Sequence, residues 1–76
     1  MTRLPRITGQ QIIQALIKAG FENTRQSGSH VFVKHPDGRA TVVPIHAGEV
    51  LGPGIISKIL RDIKLTPDDL SVLLRR

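Results

Sequence analysis

The stretch from residue 27 to residue 39 decides the fold, and it reads Ser27-Gly28-Ser29-His30-Val31-Phe32-Val33-Lys34-His35-Pro36-Asp37-Gly38-Arg39. The glycine between two serines predicts a tight turn, because glycine reaches backbone angles that other residues avoid. The apolar residues that follow predict a strand over residues 30–35. Residues 35–38 then fit a type I turn, with proline second and glycine fourth. The stretch therefore predicts a strand between two chain reversals.

The flanking sequence supplies two more strands and two or three helices. A polar edge strand is predicted over residues 21–26, and a third strand over residues 40–45, where Pro44 marks an end or an edge. A capping box at Thr8 and Gln11 predicts a first helix over residues 9–19, with Gly20 in the left-handed position after it. Thr66 followed by Pro67 predicts a short last helix. The apolar positions predicted to face the core are Ile12, Ile13, Leu16 and Ile17 in the first helix and Ile55, Ile56, Ile59, Leu60 and Ile63 in the second.

This order of elements predicts a small α+β domain of the αβββα(α) type over residues 1–76. Three antiparallel strands joined by tight turns form the sheet. The helices lie on one face of it, because their apolar stripes need a surface to cover. The other face of the sheet is left to solvent or to a ligand.

The charge of the chain favours a polyanionic partner. Eleven Lys and Arg against six Asp and Glu give a net charge of +5, and contact with phosphate groups is the usual reason for such an excess. The charge also suits an acidic protein partner, or solubility alone. Two phenylalanines are the only aromatic residues, so a base-stacking platform of several rings is excluded.

The composition also narrows the compartment and the chemistry. The chain has no cysteine, which excludes a disulfide framework, a thiol nucleophile and a thiolate metal site. No apolar run is long enough for a signal peptide or a membrane span. We therefore expect a cytoplasmic protein.

His30 is the residue best placed for proton transfer, because it enters a strand directly from a glycine turn. Cleavage of RNA without a metal needs a base for the 2′-hydroxyl, an acid for the leaving 5′-oxygen and positive charge at the phosphate. Lys34, which shares a strand face with His30 under regular alternation, and Arg39 beyond the turn are candidates for phosphate contact. Taken alone, the residues leave open that His30 is structural and that both cations are solvated charges at a strand edge.

The remaining histidines and acids do not suggest a metal site. His35 is expected to bond within its turn and to face away from His30, so the two cannot share a metal ion. Asp37, Glu49 and Asp62 have no spacing that gathers them, which disfavours a two-metal nuclease.

Two side chains keep alternative interpretations at this stage. His46 ends the third strand and is either catalytic or structural; we favour a structural role that supports the site, with a carbonyl of the glycine loop as its partner. Phe32 either shares the outward face with His30, where it could stack on a base, or belongs to the core.

Four motifs together resemble one family. Gly28-Ser29-His30, residues 35–39, Val43-Pro44-Ile45-His46 and residues 52–63 are similar, in the same order, to the HicA (YcfA-like) toxins of bacterial toxin–antitoxin pairs. The resemblance covers nearly the whole chain, from Ile12 to about Leu70. It implies a fold like that of double-stranded-RNA-binding domains, mRNA cleavage independent of the ribosome, and neutralisation by a HicB antitoxin. It also implies that His30 is the catalytic histidine.

The resulting prediction is a metal-independent endoribonuclease without a cofactor. His30 acts as general acid or base, and the residues predicted to contact RNA are Gly28, Ser29, Lys34 and Arg39. The alternatives are a non-catalytic RNA-binding module and a protein-interaction module with the same fold.

Overall fold

The computed structural model describes residues 6–75 of the chain. Its three strands form one antiparallel sheet in the order β1-β2-β3, so β2 is the central strand. The predicted α+β class is confirmed. The predicted bounds of the first helix and of the second and third strands differ from those observed by one residue at one end, and those of the first strand by one residue at both ends. In chain order the elements are α1 (Gly9–Lys18), β1 (Glu22–Ser27), β2 (His30–Lys34), β3 (Ala40–Pro44), α2 (Pro53–Ile63) and α3 (Pro67–Arg75).

Both ends of α1 form as the sequence predicts. The Gln11 N–H donates to Thr8 Oγ1 at 3.2 Å, and the Thr8 N–H donates to Gln11 Oε1 at 2.9 Å, which is a complete capping box. At the other end Gly20 has a φ of +97°. The Phe21 N–H donates to the Leu16 carbonyl at 3.0 Å, the bond of a Schellman motif. The motif turns the chain back so that Phe21, only 2% exposed, enters the core before β1 begins.

The alternation of β2 divides the sheet into two faces. Val31 and Val33 are each 1% exposed and join the same core cluster as the buried residues of the helices. His30, Phe32 and Lys34 point to the opposite side because successive side chains of a strand alternate. This arrangement answers the question left open for Phe32, which shares a face with His30 and is half-buried there.

Two helix positions differ from the prediction. Ile17 is 44% exposed and Ile55 is 42% exposed, so neither belongs to the core. Adjacent residues of a helix are about 100° apart around its axis, because one turn takes 3.6 residues. With Ile56 facing the core, Ile55 lies beyond the edge of the buried arc, and Ala15 takes the buried place predicted for Ile17.

The turn between β2 and β3 is tied to the end of α2. The Arg39 N–H donates to Asp37 Oδ1 at 3.0 Å, and Arg39 Nε donates to Asp37 Oδ2 at 2.8 Å. A further guanidinium N–H of Arg39 donates to the Ile63 carbonyl at 2.8 Å. That carbonyl is in the last turn of α2, where helices leave acceptors without intrahelical partners. Arg39 therefore holds the turn and the helix together.

α1 begins in close contact with the end of β3. Gly9, the first helical residue, is buried, and a Cβ at this position would collide with the Pro44 carbonyl oxygen. Gly54, in the first turn of α2, is different, because a Cβ there would have no heavy atom within 4 Å. Substituting alanine at each of the two positions therefore distinguishes the effect of steric crowding from that of helix propensity.

We predict that Gly9→Ala lowers the free energy of unfolding by about 1–3 kcal/mol, because α1 must shift away from β3 to relieve the collision. Gly54→Ala is the matched control and should raise the stability by up to about 1 kcal/mol through helix propensity. Urea denaturation followed by circular dichroism measures both changes. Equal effects of the two substitutions would contradict the packing of α1 against β3.

Acid should weaken the turn that ends in Arg39. The backbone N–H of Arg39, and next its guanidinium, hold the pKa of the Asp37 carboxyl below its usual value of 3.8. A carboxyl with a lowered pKa in the folded state stabilises the fold above the unfolded pKa, and this contribution is lost as the pH falls through the folded pKa. We predict that Asp37→Asn lowers stability at pH 7 and flattens its dependence on pH below about 4.

The control for this measurement is Glu49→Gln, which removes an exposed carboxylate from a loop. It should leave the stability at pH 7 close to that of the wild type. A decline in stability below about pH 4 that is equally steep in Asp37→Asn and in the wild type would overturn the role given to Asp37.

Candidate functional site

His30 stands at a hairpin tip, on the open face of the sheet. It pairs directly with Ser27 of β1, so Gly28 and Ser29 form a two-residue turn. Gly28 has a φ of +58°, and a Cβ there would meet no heavy atom within 4 Å. Glycine is therefore favoured at this position by its backbone angle and not by crowding. The His30 side chain, with no helix above it, is exposed.

Hydrogen bonds hold the hairpin tip from both sides. Gln26 Nε2 donates to the Gly28 carbonyl at 3.1 Å, and the Ile45 N–H donates to the Ser29 carbonyl at 2.6 Å. The second bond continues the pairing of β2 with β3 by one residue beyond the strand. Gly28 and Ser29 thus form the turn that sets the position of His30 at the start of β2. This is the role that the structure shows for these two predicted site residues.

We call the side of the sheet that carries His30 the outer face. Directly paired residues of neighbouring strands point to the same side, so the pairing places cations and apolar residues together there. Among residues 6–75, helices cover only the other side. The members of the outer face are Glu22, Arg25 and Ser27 of β1, His30, Phe32 and Lys34 of β2, and Ala40, Val42 and Pro44 of β3.

Lys34 lies on the outer face with His30, as predicted. The two residues occupy opposite ends of β2 and are about 13 Å apart along the strand, at roughly 3.3 Å per residue. A depression of about 390 Å³ beside Lys34 is lined by Phe32 and Val42 and reaches Lys58 of α2. The outer face therefore offers two separate points of contact and not one compact pocket.

Arg39 does not join His30. Its guanidinium binds Asp37 and the Ile63 carbonyl, and its central carbon lies 5.1 Å from the centre of the Phe21 ring. These contacts place Arg39 on the helical side of the sheet, at the far end of β2 from His30. The geometry favours a structural role over the predicted contact with phosphate.

His35 also belongs to the turn, as predicted. Its Nδ1 accepts the Asp37 N–H at 3.1 Å, and its ring lies edge-on to Phe21 with the ring centres 5.0 Å apart. The prediction that His30 and His35 face opposite sides of the sheet is confirmed. Across residues 6–75, no three of the His, Asp and Glu side chains come close enough together to hold a metal ion.

His46 is exposed and lies two residues beyond the end of β3. The predicted bond between its ring and a carbonyl of the glycine loop is absent among residues 6–75, where only its own backbone carbonyl is engaged, by the Glu49 N–H at 2.9 Å. His30 pairs with Pro44, and His46 comes two residues after Pro44. Strand alternation continued from Pro44 through Ile45 to His46 places the His46 side chain at the same end of the sheet as His30 and on the same side.

A groove of about 700 Å³ lies elsewhere on the molecule. It is lined by Gln14 of α1, Gln26 of β1, Val31 of β2 and Ile45. Val31 faces inward, so this groove opens on the other side of the hairpin from His30. None of the predicted site residues lines it.

Sequence reasoning missed Arg25, which lies across from Phe32 on the outer face. Alternation counted back from Ser27 places it there, and the irregularity between Asn23 and Arg25 shifts only the residues before Arg25. A polar strand has no hydrophobic pattern that would show which of its residues share the face of His30.

Comparison with known protein families identifies a match over most of the chain. The family model for the HicA toxin of bacterial toxin–antitoxin systems matches residues 9–65 of the 76-residue chain. No curated protein matches the sequence. Within residues 6–75, no helix has the length and the apolar character needed to cross a bilayer. Three-quarters of the chain is thus covered by a single family model, through α1, the sheet and α2, and the protein belongs to the HicA toxin family.

Proposed function

We propose that the protein is an endoribonuclease toxin that cleaves mRNA without a metal ion, with His30 in direct contact with the reacting atoms. The observation that carries the proposal is the exposed His30 at the hairpin tip, on a sheet face that no helix covers and that also bears Arg25 and Lys34. Membership of the toxin family and the net charge of +5 support it. RNA is the polyanion that offers an internal nucleophile.

The chemistry requires one bond to form and one to break. The 2′-oxygen attacks the adjacent phosphorus, the bond from phosphorus to the 5′-oxygen breaks, and the products are a 2′,3′-cyclic phosphate and a free 5′-hydroxyl. One group takes the proton from the 2′-hydroxyl, and another gives a proton to the leaving oxygen. A histidine suits either task, because its charge changes near neutral pH.

His46 is our candidate for the second proton-transfer group. Directly paired residues of neighbouring strands are about 5 Å apart, and diagonal neighbours are about 7–8 Å apart. His46 is the diagonal neighbour of His30 beyond Pro44, and this spacing leaves room for a phosphate between the two rings. Its exposed ring has no hydrogen-bond partner among residues 6–75 that would hold it elsewhere.

Lys34 serves a different part of the RNA. At the other end of β2 it would contact a phosphate further along the strand, which increases affinity and leaves the reacting phosphate to the histidines. An antitoxin of the HicB type would neutralise the toxin by covering the outer face. The family supports an antitoxin partner in general.

We predict that His30→Ala lowers the single-turnover rate of cleavage of a defined transcript by about 10²–10⁴-fold, the usual contribution of a general acid or base. The fold should remain unchanged, because the side chain is exposed. EDTA should not slow the wild type, and the product should carry a cyclic phosphate. Equal cleavage by His30→Ala and the wild type would reject the catalytic assignment.

The matched test of His46 uses the pH dependence of the rate. With an acid and a base, the wild type should show a bell-shaped profile, and His46→Ala should lose one limb of it together with about 10²-fold in rate. His46→Ala with an unchanged profile would remove His46 from the mechanism and leave His30 in it. RNA binding by the wild type without any cleavage would favour the non-catalytic alternative.

A further inference from the structure

The hairpin pairing places a cation on the outer face. Counted back from the two-residue turn, Ser27 pairs with His30 and Arg25 with Phe32, so alternation puts the Arg25 side chain on the face of His30. A β-bulge follows directly beyond this pair: Asn23 pairs with Val33, so Thr24 is an extra residue of β1. The bulge shifts only the residues before Arg25 and puts Glu22 opposite Lys34.

A hydrogen bond holds the bulge in place. Thr24 Oγ1 donates to the Phe32 carbonyl at 3.1 Å, on the strand against which Arg25 lies. The side chain of the extra residue is thus used to fix the local register. Every residue of the edge strand β1 is exposed, so side-chain packing contributes little to fixing its register.

Phe32 then holds the guanidinium group. The central carbon of Arg25 lies 4.5 Å from the centre of the Phe32 ring, within the range of a cation–π contact. This contact explains why an aromatic residue on the outer face is only half-exposed. It also means that Arg25 occupies the ring surface on which a base could otherwise stack.

The N–H donors of Arg25 remain available. Among residues 6–75 Arg25 forms no ion pair, whereas Arg39 binds Asp37 and the Ile63 carbonyl. Arginine offers several donors in one plane, an arrangement that suits the oxygens of a phosphate. A guanidinium that is held over an aromatic ring and is not paired with a carboxylate is available to bind an anion.

The pairing also fixes the distance to the reacting group. His30 pairs with Ser27, and Arg25 is two residues from Ser27 on the same face. Diagonal neighbours of this kind are about 7–8 Å apart. An RNA strand whose reacting phosphate lies at His30 would therefore bring a neighbouring phosphate to Arg25.

We propose that Arg25, held by Phe32, is a binding site for a phosphate of the RNA backbone next to the one that is cleaved. Arg25 is a positioning residue, because it binds a group that does not react. This inference rests on the proposed function for the identity of the ligand as RNA. It predicts that losing Arg25 raises the KM of cleavage and leaves kcat nearly unchanged.

Binding is measured separately from cleavage, by fluorescence anisotropy with a labelled single-stranded 2′-O-methyl RNA, which lacks the nucleophile. Arg25→Gln should weaken binding roughly tenfold and reduce the slope of log Kd against log salt by about 1. Arg61→Gln is the matched control, because it removes the same charge from an exposed position of α2. It should stay within about twofold of the wild type.

Two further variants test the geometry. Arg25→Lys keeps the charge without the planar fork and should lie between Arg25→Gln and the wild type. Phe32→Leu keeps an apolar side chain but releases the guanidinium, and it should weaken binding in the same direction as Arg25→Gln. Wild-type affinity in Phe32→Leu would show that the aromatic support is unnecessary and would overturn that part of the proposal.

The outcomes separate this site from the proposed activity. Equal Kd values for Arg25→Gln and Arg61→Gln, with a normal KM for Arg25→Gln, would overturn the phosphate site even if the wild type cleaves RNA. Weaker binding by Arg25→Gln alone, in a wild type that cleaves nothing, would keep the site and reject the endoribonuclease. A wild type that does not bind RNA would overturn both.

Discussion

The burial of Val31 and Val33 against the helices determines the orientation of the central strand. Each side chain contributes about 1.5–3 kcal/mol when it is fully removed from water. A slip of one residue in β2 would expose both valines and put Phe32, with either His30 or Lys34, in their place. The register is therefore strongly fixed, and with it the position of His30 on the outer face. The packing of the core therefore decides to which side the His30 side chain points.

The two ends of β2 have different tasks because different elements meet there. At the far end, Arg39 joins the turn to the last carbonyls of α2, so its charge serves the fold. At the near end, two glycine-containing loops bring His30 and His46 to one end of the sheet without helical cover. The two arginines therefore differ in role because they have different neighbours. Arg39 binds protein groups, whereas Arg25 lies on the outer face over the Phe32 ring.

The outer face suits a strand of RNA better than a small molecule. Its contact points are spread along β1 and β2 rather than gathered in the larger groove on the other side of the hairpin. An extended ligand with a charge at every step can use such separated points, and each contact adds to affinity without taking part in the reaction. In the proposed mechanism the histidines at the hairpin tip act on a single phosphate, while Arg25 and Lys34 hold the strand on either side.

The sequence by itself determined the elements, because their signals are local. The capping box at Thr8, the glycine after α1 and the alternation around Val31 and Val33 each depend on neighbours within a few residues. The same local signals put His30 at a strand entrance and Lys34 on its face. Only the tertiary structure decided which groups Arg39 and Arg25 contact. Arg39 donates to the carbonyl of Ile63, which is distant in sequence, and Arg25 lies over the Phe32 ring because β1 pairs with β2. Contacts of this kind arise when separate segments pack, so no local pattern could have shown them.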